Sequence, residues 1–457
     1  MSAPTSAFVP PRPPRFRGTL PPLTALRVAR QNLIAVWSDE AFAGRFLQQR
    51  FLFRWLFVAN SPEAVRHVMV TNGDNYWKSR QMQRALRPLV GNGMFISNGD
   101  EWRRQRRMAV PAFHHTRLRA FSGIMTAAAL ELRGRWDALG AGAEVEMTEE
   151  MTRITAEVVC RTLFSDDLGE DRAAAVFRGF ADYQATLSQI DFFELLGFPR
   201  WFPRMPSGKA RRAAARIHRV IEEIIADRKR TGEDKGDLLS MFLKARDEET
   251  GQPWTDEQVR DEAAVIFLAG HETTASALGW TFYLLSQHPE AEARLHAEVD
   301  RVLAGRPPTH DDLPNLTYTR QVFEEALRLY PPVAVFSREA QADDEILGRR
   351  IPAGSMVLVV PWLLHRHRAL WRDPDLFDPD RFSAERSKGR SKYAFVPFGA
   401  GPRTCLGAAF AMIEATIVLA AVAQRYRLRM RPGHPVAPLC RLSLRPSDGL
   451  PMRLEPR

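Results

Sequence analysis

Apolar residues recur three and four positions apart over most of this chain, with polar residues between them. That period puts an apolar stripe on one side of an α-helix. It predicts helices over residues 120–140, 145–165, 172–190, 208–230, 238–247, 256–287, 289–303 and 318–329, and a further apolar helix over 408–423. Pro or Gly punctuates most of the joins. Strand-like segments are fewer: residues 50–58, 356–364, 426–431 and 442–445. There is no internal repeat and no linker after residue 22. The expectation is a mainly α fold with a small β region, built as a Pro-rich arm (1–22) and a single domain (23–457).

The longest predicted helix carries the first chemistry. Thr255 is placed to cap it, Asp256 and Glu257 stand in its first turn, and Pro289 follows its end. It is apolar nearly all round, so it should run through the interior. In its middle lies Ala269-Gly270-His271-Glu272-Thr273-Thr274. Gly270 weakens the helix and Thr273 can bond back to a carbonyl one turn earlier, which predicts a local bulge and a groove for a diatomic ligand and water. Glu272 and Thr273 put an acid beside an alcohol. Alone, the pair reads better as a solvated Glu next to a Thr bonded to its own helix. In a buried groove it suits proton delivery to bound dioxygen, the hydroxyl holding water and the carboxylate relaying protons.

Composition narrows the class. The 457 residues are 45% apolar and 10% aromatic, enough for a large core. Three scattered cysteines, Cys160, Cys405 and Cys440, make no disulfide framework and fit a reducing, cytoplasmic location. No run of 18 apolar residues occurs, so no transmembrane anchor is expected. The N-terminal arm lacks the apolar segment of a secretory signal, and its prolines favour an extended, flexible or surface-packed tail. The net charge of +10 is spread along the chain without a zinc-finger spacing or a basic-aromatic stripe, which argues against nucleic acid as partner. The histidines show no zinc or di-iron spacing.

The most specific signal is Phe398-Gly399-Ala400-Gly401-Pro402-Arg403-Thr404-Cys405-Leu406-Gly407. Glycines allow a tight backbone turn that a flat ligand can approach. Cys405 stands where the 408–423 helix begins, where free N–H groups and the helix dipole favour a thiolate. This loop resembles the haem-binding signature of the cytochrome P-450 superfamily, and the 269–274 hexapeptide is similar to the family's oxygen-binding helix motif. The resemblance runs from about residue 20 to the C-terminus and points to a soluble, bacterial-type member.

The resemblance implies the P-450 fold, with haem b between the long central helix and the Cys loop. Cys405 becomes the axial ligand of the iron, a thiolate whose electron donation favours O–O cleavage. Trp102 and Arg106, four apart on one helix face, match the family's propionate-binding Trp-x-x-x-Arg motif. Arg338 and Arg403 match further propionate positions. Ala269, Gly270, Phe398, Gly399 and Gly407 complete the implied haem contacts, with Phe398 beside the sulfur limiting solvent. Glu325, Arg328 and Arg381 match the Glu-x-x-Arg helix motif and the Arg that locks it, a structural triad supporting the Cys loop. Without that resemblance, Glu325 and Arg328 would read as a surface ion pair.

The implied activity is insertion of one atom of dioxygen into a lipophilic substrate by a monooxygenase, with electrons from a ferredoxin- or flavodoxin-type donor and its reductase. A monomer is expected. Apolar segments 78–95, 175–202, 333–336 and 442–444 are the substrate-facing candidates, with Phe95, Leu268, Val333, Ala334, Val335, Phe336 and Leu444 as pocket residues. An acidic donor would meet Arg103, Arg104, Arg107, Lys388, Arg390 and Lys392, which have no evident core role. A peroxide-driven peroxygenase or a haem-thiolate isomerase is the rival within the fold, and the Glu272–Thr273 pair argues against both. A haem-based gas sensor is the rival of another class, and no output domain is visible. A basic scaffold without cofactor is the third, which a haem stain separates.

Overall fold

The computed structural model describes residues 8–51, 54–165, 169–186 and 208–457. The helices that frame its interior are α1 (Pro22–Gln31), α2 (Arg80–Val90), α3 (Gly99–Ala109), α4 (His115–Leu139), α5 (Met147–Phe164), α6 (Gly169–Thr186), α7 (Gly208–Thr231), α8 (Asp256–Ser286), α9 (Pro289–Leu303), α10 (Thr317–Leu329) and α11 (Ala408–Ala423). The expected helix over 172–190 is α6, and residues 187–190 fall outside the described residues.

Helix α8 forms as its sequence dictates. Thr255 Oγ1 accepts from the Gln258 N–H at 3.2 Å, and Gln258 Oε1 accepts from the Thr255 N–H at 3.0 Å, a reciprocal capping box. Its 31 residues span about 46 Å, and it packs against α5, α7, α10 and α11. The bulge expected at 269–274 is absent: the helix is unbroken there. Thr273 Oγ1 does donate to the Ala269 carbonyl at 2.7 Å, without interrupting the helix. Gly270 serves a different purpose, since a Cβ there would lie 2.8 Å from Val159 Cγ2. It lets α5 approach closely, and Thr155 Oγ1 donates to the His271 carbonyl at 2.9 Å across the same seam.

The main sheet contains β1 (Phe46–Phe51), β2 (Arg54–Ala59), β3 (Tyr76–Lys78), β4 (Phe336–Ala340) and β5 (Met356–Val359) in the order β1-β2-β5-β4-β3. Only the β2–β5 pair is parallel. Residues 50–58, expected as one strand, instead span a hairpin in which Arg50 faces Trp55. The apolar run continues across the reversal without Gly, Pro, Asn or Asp to mark it. The expected strand over 356–364 ends at Val359, because Pro361 starts the short helix Pro361–Leu364. Tyr426–Met430 pairs with the C-terminal strand Pro451–Pro456, and Leu444–Pro446 pairs with Pro438–Cys440. Helix α2 went unread because Pro88 in its last turn looks like a breaker.

From residue 8 the Pro-rich arm is seated on the domain rather than free. Phe8 packs edge-on to Tyr283 at 6.2 Å, Tyr330 Oη donates to the Pro11 carbonyl at 2.8 Å, and Arg15 pairs with Asp375 at 2.7 Å. No described helix is long and apolar enough to cross a membrane.

Candidate active site

Two cavities share a wall made by Phe95, Val265, Ala269, Thr273 and Val333. The smaller, about 250 Å3, lies between α8 and the loop leading into α11. Cys405 opens into it. The loop is set by hydrogen bonds from the Cys405 N–H to the Phe398 carbonyl at 2.8 Å and from Thr404 Oγ1 to the Gly401 carbonyl at 2.8 Å. Gly401 has φ +69°, and a Cβ on it would lie 2.2 Å from the Met69 carbonyl oxygen. That close approach seats the loop on the helical turn His67–Thr71. Burial pushes the Cys405 thiol up, opposed by the Gly407 N–H at the helix start and by the charges of Arg106 and Lys78. The helix-start effect expected from sequence is present, and burial opposes and outweighs it.

One part of this cavity is lined by cations. Lys78, Arg106, Arg338 and Arg403 all line it, together with Trp102. Arg403 stacks 4.1 Å over the Trp102 ring and donates to the Ser97 carbonyl at 3.0 Å and to Asn98 Oδ1 at 3.1 Å. Burial lowers Arg338 and Arg403 to about 10. Burial, then Arg338 and Arg403, drives Lys78 well below its usual value. No carboxylate forms an ion pair with these four among the described residues. Keeping these basic groups charged in an enclosed space is costly unless anions neutralise them.

The larger cavity, about 650 Å3, runs from Glu272 and Thr273 to α1, the β1–β2 hairpin and arm residues Phe16 to Leu20. Its inner walls are Val265, Leu268, Val333, Val335, Met356 and Leu358. Burial pushes Glu272 up, and Ser443 Oγ donates to its Oε1 at 2.5 Å. Both line this cavity.

Behind the thiol loop, Glu325 and Arg328 are fully buried. Arg328 Nε and Nη2 donate to the two Glu325 oxygens at 2.6 and 2.7 Å. Its remaining donors reach the carbonyls of His365 at 2.8 Å, Pro374 at 2.7 Å and Leu376 at 2.9 Å. Arg381 Nε lies 3.4 Å from Glu325 Oε1, and Arg381 also donates to the carbonyls of Arg372 and Asp373. His365 continues the chain: its Nε2 accepts from the Val396 N–H at 2.9 Å, two residues before Phe398. Burial and the nearby Arg charges hold His365 neutral, which that acceptor role requires.

The sequence matches the cytochrome P450 family over residues 24–450. The chain belongs to that family. It is 39% identical to cyclooctatin synthase of Streptomyces melanosporofaciens over 95% of this chain and 93% of the relative. It is 33% identical to pentalenene oxygenase of Streptomyces avermitilis over 88% of each. The haem domain of cytochrome P450DA superposes with a TM-score of 0.80 at 28% identity, covering 98% of this chain and 97% of that one. The chain is therefore a P450 monooxygenase with a haem cofactor, a redox partner and an organic substrate. The smaller cavity fits haem: a thiol, apolar walls from α8, and unneutralised cations where two carboxylates would lie.

As a P450, the chain brings together most residues singled out from sequence. Ala269, Gly270, Phe398, Gly399 and Gly407 line the smaller cavity, as does Phe336, expected against substrate. Phe95 and Val333 line both, and Leu268 and Val335 the larger. Ala334 and Leu444 line neither. Both are buried in the core, and the Leu444 backbone is tied to Pro332 and Ser276, so its neighbours Leu442 and Ser443 face the cavity instead. Of the segment 175–202, residues 187–202 lie outside the described residues. Lys78 and His365 were missed as individual site residues. A lone Lys in a three-residue strand and a lone buried His carry no local signal.

Four of the six residues expected to meet a donor already have partners within the protein. Arg103 pairs with Asp100 at 2.6 Å and Asp74 at 2.8 Å, and Arg107 with Asp247 at 2.8 Å and Glu249 at 2.9 Å. Arg104 lies 3.5 Å from Asp247, and Arg390 stacks 4.5 Å over Trp371 and donates to backbone. Among the described residues, Lys388, Arg390 and Lys392 of the six make no ion pair with a carboxylate, and Arg390 is held by its ring stack and backbone bonds.

Proposed function

We propose that this P450 oxygenates a cyclic terpenoid, by hydroxylation or epoxidation, using haem b and electrons from a ferredoxin- or flavodoxin-type donor. The observation that carries the substrate class is the 650 Å3 cavity, apolar where it meets Thr273. Its volume suits a rigid polycyclic body, and the relatives named for cyclooctatin and pentalenene chemistry support it.

Haem bound here would supply dioxygen binding and activation, and the Cys405 thiolate would hold its iron and donate electron density to it. Lys78, Arg106, Arg338 and Arg403 would hold the propionates. Phe398 shields the sulfur from water. Thr273 orients water through its hydroxyl, already fixed by the Ala269 carbonyl. Glu272, whose carboxyl burial holds above its ordinary range, is placed to pass a proton from the Ser443 side toward Thr273. Glu325, Arg328 and Arg381 hold the loop that presents Cys405. One oxygen atom enters the product and the other leaves as water, with two electrons from the donor and two protons. We place the enzyme in the cytoplasm as a monomer, one domain from residue 23 with the arm as a strap.

The test supplies the purified holoenzyme with a surrogate ferredoxin, its reductase, reduced nicotinamide, isotope-labelled dioxygen and a panel of cyclic terpenes and fatty acids. One labelled atom in a terpenoid product is expected. Turnover of fatty acids alone would overturn the substrate class, and unlabelled product would overturn the monooxygenase reading.

A further inference from the structure

Residues 91–97 lie against the first half of α8 more closely than side chains would permit. A Cβ on Gly91, whose φ is +51°, would sit 1.7 Å from Asp261 Oδ2, and one on Gly93 would sit 2.8 Å from Val265 Cγ2. Two adjacent acids of α8 grip this backbone. The Asn92 N–H donates to Asp261 Oδ2 at 3.0 Å, and the Met94 N–H donates to Glu262 Oε1 at 2.7 Å. Helix α3 fixes the other side: Gln105 Nε2 donates to the Asn92 carbonyl at 2.8 Å, and Ser97 Oγ to Gln105 Oε1 at 2.5 Å.

Both acids are buried. Asp261 has Arg260 at 2.7 Å. Glu262 has no cation, its Oε2 has no partner among the described residues, and burial pushes it up to about 8, with Asp261 and Glu101 adding to the rise. A buried acid is a costly packing element, so its use here lies in the N–H group it accepts. The residue after Met94 is Phe95, whose ring lines both cavities and lies 5.0 Å from Lys78 Nζ.

We propose that Asp261 and Glu262 are positioning residues that clamp the 91–97 loop and so set the Phe95 ring between the haem and substrate cavities, where it selects ligands by size. This rests on the haem reading above. The clamp acts through backbone, so the side chain it positions is the one that meets the ligand.

Two iron-binding probes test it in the ferric holoenzyme: imidazole, and 4-phenylimidazole, whose added ring would need the space that Phe95 borders. Glu262→Ala should weaken 4-phenylimidazole about tenfold, the scale of one lost buried hydrogen bond, and leave imidazole within about twofold. Glu262→Gln keeps an amide oxygen for the Met94 N–H and should bind both probes as the parent does. Phe95→Ala should show the same selective loss, and adding Glu262→Ala to it should cost nothing more. Amide exchange over 91–97 should quicken in Glu262→Ala. If that variant does not fold, Asp261→Ala carries the same expectation. Equal weakening of both azoles, or unchanged selectivity with unchanged exchange, would overturn the inference. A parent that takes up no haem would instead overturn the reading beneath it, and amide exchange would still report on the clamp.

Discussion

At the scale of single residues, chemistry was most legible where a residue type is rare and its neighbours constrain it. Cys405 was readable because glycines flank it and a helix follows. Glu272 and Thr273 were readable as an acid beside an alcohol in an apolar helix. Lys78 was not, because its meaning arises only when β3 pairs with β4 and brings it beside Arg338. Thr273→Ala should keep haem and substrate binding while diverting electrons to hydrogen peroxide, since the hydroxyl that holds water in place is gone. Peroxide formed per reduced nicotinamide consumed measures this; unchanged coupling of reductant to product would remove Thr273 from proton control. Lys78→Leu removes one charge-assisted contact, worth about 1.5–3 kcal/mol, so it should raise the rate of haem loss to an excess of apomyoglobin.

At the scale of elements, end signals gave helices well and pairing gave strands poorly. Helix α9 is observed as the sequence indicated, Pro289–Leu303, and α8 within a residue of its far end. The β1–β2 hairpin was merged into one strand because nothing in its sequence marks the reversal. The α8 bulge was wrongly expected because Gly270 is explained by its contact with α5, which sequence does not reveal. The support of the Cys loop depends on α10. Glu325→Ala would leave Arg328 buried and unpaired at a cost of roughly 3–5 kcal/mol, so the product should be haem-poor or insoluble. Haem content and melting temperature like the parent's would show that the network is dispensable.

Helix α11 carries Glu414, fully buried, with neither carboxylate oxygen partnered among the described residues. Burial raises it well above the usual range, so the folded protein keeps a proton that the unfolded chain releases above about pH 4.3. Stability from this site is therefore lost as pH rises. Glu414→Gln should melt higher than the parent at pH 7, with the gap closing toward pH 4; a gap independent of pH would show that ionisation is not the cause.

At the scale of the whole molecule, fold class followed from helical periodicity and the cofactor from one decapeptide. The seating of the arm and most ion pairs of the basic residues did not, because they depend on residues brought together only by the tertiary fold. Arg15 reaches Asp375, and Arg107 reaches Asp247. We expect an acidic donor to meet Lys388 and Lys392, which make no ion pair among the described residues. Reversing both to Glu should slow reduction by an acidic ferredoxin and flatten its salt dependence with haem content intact. Reversing Arg107 should instead destabilise, since Asp247 would lose its nearer cation and face a new negative charge, with only Arg104 at 3.5 Å left to offset it. An unchanged rate and salt slope in the double Lys variant would move the docking face elsewhere. The whole account turns on Cys405 as the iron ligand. Its most direct test is the reduced carbon-monoxide spectrum of Cys405→Ser beside those of Cys160→Ser and Cys440→Ser. The red-shifted Soret band of a thiolate-ligated haem is expected in the last two and absent from the first; its survival in Cys405→Ser would contradict the account.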